Sequence, residues 1–201
     1  MAKMARIARP LMGIIYLLNG INWWFKIITP YPSMSDFRHM APPPDVVGAM
    51  ISNGVMFHMV KGLELLTGIA LLANVMTPLM LVAVMPVTIS VFIVDVFFVA
   101  HLRGIVMGCG SLVLNLFLLS VYIEHYRPML AVRGMTDDPL SAQGVNVTDG
   151  LKAVILPLRP ALGVLALGLG FVMLGWMLVM IGQYIAHPMP LSAVIPHHPQ
   201  S

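Results

Sequence analysis

Residues 57–68 read Phe57-His58-Met59-Val60-Lys61-Gly62-Leu63-Glu64-Leu65-Leu66-Thr67-Gly68, and the apolar run that contains them continues through Ile69-Ala70-Leu71-Leu72-Ala73. A histidine, a lysine and a glutamate stand inside this otherwise greasy stretch. At ~100° per residue, Asn53, Lys61, Glu64, Thr67 and Gly68 fall within an arc of roughly 120°, with His58 at its edge. One helical face is polar and small, and the remainder is hydrocarbon. Ionisable groups inside a bilayer cost about 2.5–3.5 kcal/mol each on insertion scales, so they normally face a bundle interior and pair. The stretch is therefore a membrane span with a polar inner face, in which Lys61 and Glu64, one turn apart, are placed to pair.

The composition agrees with that reading. The chain has 201 residues, 59% of them hydrophobic and 9% charged, with a mean hydropathy of +0.90, whereas soluble domains carry about a quarter charged residues. Such a chain supplies four to six spans of about 20 residues, which favours one helical bundle over two domains. The single cysteine, Cys109, excludes an intramolecular disulfide, a CxxC redox pair and a cysteine-based zinc site. The net charge of +3 gives no support for nucleic-acid binding.

Five apolar segments are predicted as transmembrane helices, at about 10–29, 46–74, 77–101, 104–126 and 160–186, because backbone groups in lipid must be satisfied within each segment. The first follows a basic head, MAKMARIARP, without a small-x-small cleavage site, and reads as an uncleaved span. Pro86 marks a kink in the third span. The fold expected is all-α: a core over 1–126, a cytoplasmic loop over 127–150, an additional span within 151–186 and an external Pro/His-rich tail over 187–201. The stretch LKAVILPLRP, 151–160, reads either as an interfacial helix or as the start of the fifth span. Lys3, Arg6, Arg9, Arg127, Arg133, Lys152 and Arg159 fall on one side, against Lys26, Arg38 and Arg103 near the other. That asymmetry places the N-terminus in the cytoplasm and the C-terminus outside. Trp23 and Trp24 suit an interfacial anchor.

Helical rise assigns each polar residue a depth. Asn19, Glu64 and Asn115 lie roughly 13–16 Å up their spans, Asn22 and Lys61 about 18–20 Å, and Lys26, His58 and Asp95 about 24–27 Å. Asn19, Asn22 and Lys26 share one face of the first span. Asn19, Asn22, Lys26, His58, Lys61, Glu64, Asp95 and Asn115 therefore form an internal polar seam across four spans. Two readings stand: the seam holds the helices together through hydrogen bonds worth about 0.6–2 kcal/mol apiece, or it is a ligand, quinone or proton site.

The order of features over 10–126 resembles the DoxX-like family of small four-helix membrane proteins. The similarity rests on LMGIIYLLNGINWWFKIITPYP as first span, SDFRHMAPP with Phe37 and Met40 as loop, KGLELLTGIALLANVMTPL with the E-x-x-x-G of Glu64 and Gly68, and RGIVMGCGSLVLNLFLL with Gly108 and Gly110. Two features depart from it. Trp23 stands where members commonly carry a lysine, three residues after Gly20, and the fifth span and tail lie outside the four-helix unit. The resemblance implies an accessory subunit of a membrane redox or electron-transfer system in a bacterial or archaeal inner membrane, with quinone as the cofactor it admits and none held covalently. The fifth span and tail would then serve a partner in a membrane complex. The alternatives are a catalytic quinone-linked oxidoreductase subunit, in which Glu64 or His58 moves protons, and a small-molecule transporter. No catalytic residue is assigned. No metal site is expected either: the methionines fill core space, and no two histidines share a depth on facing spans, as bis-histidine haem requires.

Overall fold

The computed structural model describes residues 2–25, 55–99, 102–130 and 147–186. All regular structure among them is helical: α1 Ala2–Phe25, α2 Val55–Ala73, α3 Thr77–Ile93, α4 Leu102–Val121 and α5 Val147–Ala186. A π-helical turn, Val94–Val99, extends α3, and a 3-10 turn, Ile123–Tyr126, follows α4. The chain is an all-α helical bundle. Four stretches, Val55–Ala73, Thr77–Phe98, Leu102–Val121 and Val147–Ala186, are long and apolar enough to cross a membrane. This is a multi-pass membrane protein.

Consecutive helices alternate in direction. Between α2 and α3 the chain reverses over Asn74-Val75-Met76, where Asn74 (φ 57°) and Met76 (φ 49°) both adopt the left-handed conformation. The Val75 N–H returns to the Ala70 carbonyl (2.9 Å), capping α2, and Pro78 stands in the first turn of α3, where its missing N–H costs nothing. α1 is the inner helix: it packs along α2 and α5 and also touches α4, while α3 closes the ring between α2 and α4. Glycines set the α1–α2 spacing. A Cβ at Gly68 would lie 2.6 Å from the Leu17 backbone nitrogen, and one at Gly20 would lie 2.9 Å from that of Leu65. The backbones can therefore approach where neither residue has a side chain, which is the main source of helix affinity in lipid.

Two helices are longer than the sequence predicts. α1 begins at Ala2 and runs through Pro10, and α5 is a single 40-residue helix that runs through Pro157 and Pro160. It takes in 151–160 and the last residues of the segment read as a loop. Its length, about 60 Å, is twice a ~30 Å hydrocarbon core, so its N-terminal part projects beyond the bundle beside the turn after α4. There Lys152 pairs with Glu124, and Arg159 donates to the Ser120 carbonyl. Lys152 precedes both prolines and Arg159 stands between them, so these bonds tie the helix to the end of α4 where each proline removes a backbone bond.

The inward face of α5, Gly163, Ala166, Gly170, Met173 and Met177, is buried. A Cβ at Gly163 would meet Phe117 and Met4, and one at Gly170 would meet Leu11 and Leu114. The small-residue spacing of Ala166 and Gly170 thus serves packing within the chain. These contacts also bring the N-terminus of α1, the C-terminus of α4 and the first half of α5 to one end. Lys3, Arg6, Arg9, Arg127, Lys152 and Arg159 lie there together, and Arg133 falls outside the described residues.

Candidate functional site

The buried polar groups form two neighbouring networks near mid-bundle. In the first, Glu64 on α2 is 1% exposed, and its Oε2 accepts from Lys61 Nζ (2.8 Å) and from Asn19 Nδ2 on α1 (2.9 Å). The i, i+3 spacing puts Lys61 and Glu64 on one face, and Lys61 Nζ also sits 5.4 Å from the centroid of the Phe57 ring, one turn away. In the second network, Tyr16 Oη and Thr88 Oγ1 share a hydrogen bond (2.6 Å), Asn115 Nδ2 donates to Thr88 Oγ1 (3.2 Å), and the Thr88 hydroxyl also reaches the Val84 carbonyl (3.1 Å). Tyr16, Thr88 and Asn115 are all buried. Tyr16 is one turn before Asn19, so α1 carries both networks on one face.

Asn19, Lys61 and Glu64 thus meet as their depths predict. Asn115 lies at the predicted level but bonds to Thr88 of α3 rather than to Glu64, and Thr88 in turn meets Tyr16 of α1. Asn22 is buried one turn beyond Asn19. Asp95 lies further along, half-buried in the π-helical turn, with Lys61, Glu64 and Arg103 as its charged neighbours. His58 is exposed at the rim rather than inside: its ring stands edge-on to both Trp23 (centroids 5.3 Å) and Trp24 (6.4 Å). Trp23 also packs on Phe57 at 4.4 Å, so it anchors α1 to α2 as well as lying near a span end. Lys26 and Asn53 fall outside the described residues.

Sequence reasoning missed Tyr16 and Thr88. The signals were present: Tyr16 precedes Asn19 and Asn22 at a spacing of three, and Thr88 precedes Asp95 by seven, which puts each pair on one helical stripe. Two further buried atoms border the networks without a hydrogen-bond partner among the described residues, Thr67 Oγ1 and Asn115 Oδ1. An unmet buried donor or acceptor costs about 1–3 kcal/mol, so these two atoms mark where the seam has bonding capacity to spare. Among the described residues no three His, Cys, Asp or Glu side chains gather as a metal site would require.

No family model matches this chain, and no curated protein and no solved structure matches it either. The functional reading therefore rests on the seam itself.

Proposed function

We propose that the chain is a DoxX-like, non-catalytic subunit of a bacterial or archaeal cytoplasmic membrane, which supports a redox or electron-transfer complex and touches quinone or lipid through its polar seam. The observation that carries this is the Lys61–Glu64–Asn19 unit, a buried ion pair bonded across the α1–α2 contact. In the E-x-x-x-G segment behind the resemblance, Glu64 binds α1 through Asn19 and Gly68 packs on the α1 backbone. An accessory role suits a seam whose central acid already carries two donors. Contact with a lipid-soluble carbonyl compound suits its rim, where exposed His58 lies against Trp23 and Trp24, and the unmet Thr67 hydroxyl beside Glu64.

The outward face of α5 supports a partner. Gly168, Gly175 and Gly182 recur every seven residues, and among the described residues no other helix comes within 4 Å of where a Cβ would stand. Val172 and Val179 flank them, more than half exposed. Close helix approach in lipid uses such small residues.

Gentle detergent purification with identification of co-purifying protein, quinone and pigment tests the proposal. A partner subunit should co-purify with the wild type and dissociate from Gly168→Leu/Gly175→Leu, whose changed positions face away from the core. A colourless monomer that turns over a quinone-linked substrate by itself would replace this reading with the enzymatic one. Water-accessible paths from both sides would replace it with a transporter.

A further inference from the structure

Between the two carboxyl groups of the seam, Glu64 and Asp95, the hydrogen bonds among the described residues engage Glu64 and leave out Asp95. Glu64 holds Lys61 and Asn19, whereas no hydrogen bond joins Asp95 to the described residues, although Lys61, Glu64 and Arg103 surround it electrostatically. Lys61 is already engaged by Glu64 at 2.8 Å.

Two features of the backbone are shaped around this carboxyl. The first is the π-helical turn Val94–Val99, a wide turn that is rare in helices and that recurs at functional sites. The second is the α4 surface opposite. A Cβ at Gly108 would stand 3.1 Å from the Asp95 Cβ, and one at Gly104 would stand 3.5 Å from it. The two glycines, one turn apart, leave a niche that the Asp95 side chain occupies. Asp95 also lies within one turn of Phe98, the end of its span, where water reaches the bilayer interface. A carboxylate in this position is costly unless it is paired or takes up a proton.

We propose that Asp95 is a reversible proton-binding site at the end of the seam, with Lys61 and Glu64 of α2 and Arg103 of α4 as the charges that set when it fills. On filling, an O–H bond forms on the carboxylate as the proton leaves water at this end. The side chain passes from negative to neutral, and no electron moves. The Lys61–Glu64 pair remains as a fixed neighbour. The inference deepens the reading of the seam as functional and does not depend on which partner the chain binds.

The test is pH-difference infrared spectroscopy of the intact protein in lipid nanodiscs, across about pH 4 to 9. The wild type should show a protonated-carboxyl band that shifts on isotopic labelling of the aspartate side-chain carbon and is missing from Asp95→Asn. Superimposable wild-type and Asp95→Asn spectra would overturn the proposal, as would a label-insensitive band that is lost only in Glu64→Gln. Gly104→Ala covers the case in which Asp95→Asn does not fold: its added methyl would stand 3.3 Å from the Asp95 carbonyl oxygen and 3.5 Å from its Cβ, a close contact that a shift of a few tenths of an ångström relieves. It should move the midpoint of the aspartate band by about threefold in proton affinity, roughly half a pH unit, and an unmoved midpoint again rejects the site. A partner that co-purifies without an Asp95 band rejects this inference alone. An Asp95 band in a protein with no partner rejects only the accessory-subunit reading.

Discussion

Lys61 and Glu64 show how much one residue's surroundings decide. Lys61 is 6% exposed and Glu64 1%, so removing one partner leaves a charge in a medium that cannot solvate it. Loss of one member of a buried pair costs about 3–5 kcal/mol, whereas replacing both by apolar groups of similar size is often close to neutral. Glu64→Leu is therefore expected to destabilise the bundle by more than Lys61→Met/Glu64→Leu, with a gap of at least about 1 kcal/mol in a double-mutant cycle. Unfolding in mixed detergent micelles measures it. Equal losses in the two variants would mean that Asp95, the other acidic neighbour of Lys61, takes over the pairing.

At the scale of elements, the distinctive piece is the clasp between the end of α4 and the first half of α5. Glu124 is exposed in the turn beyond the Leu102–Val121 span, and the hydrogen bond from Lys152, with that lysine's charge, holds its carboxyl below the usual glutamate range. A carboxylate depressed in the folded state stabilises it above the group's ordinary pKa, and the contribution is lost as pH falls through the depressed value. The clasp should accordingly stay closed through neutral pH and loosen only on the acid side. Hydrogen exchange over 147–156 reads this directly: protection should fall with acidification in the wild type, whereas Glu124→Gln should start lower and vary less with pH. An acid response of the same size in both proteins would show that another group controls the clasp.

For the whole molecule, the packing gathers Lys3, Arg6, Arg9, Arg127, Lys152 and Arg159 at one end, while Arg103 stands at the other. Basic residues near span ends are retained in the cytoplasm, so we expect that end inside. A periplasm-active reporter fused after Ser201 should be active, and a cysteine introduced into 30–45, with Cys109 replaced, should react with an impermeant reagent from outside. A silent reporter with a reactive loop would mean that α5 does not cross. Failure of both would invert the orientation.

The helical nature of the apolar segments and the meeting of Asn19, Lys61 and Glu64 were legible in the sequence, because each follows from the bilayer's demand for internal hydrogen bonds and from the fixed rise and turn of a helix; of the five spans predicted, four are long and apolar enough to cross a membrane among the described residues, and α1 is not one of them. Three matters were decided only by the tertiary structure. Continuity of α5 through Pro157 and Pro160 goes with Lys152 and Arg159 meeting Glu124 in the turn after α4 and Ser120 at the end of α4, which local rules about proline do not contain. The partner of Asn115 depends on which helices pack together: equal depth made Glu64 and Asn115 candidates for contact, but Asn115 bonds to Thr88 of α3, which also bonds Tyr16 of α1. The niche for Asp95 likewise arises from the register of α3 against α4. Depth along a span is a property of the chain, whereas direction around the bundle exists only once the helices have packed.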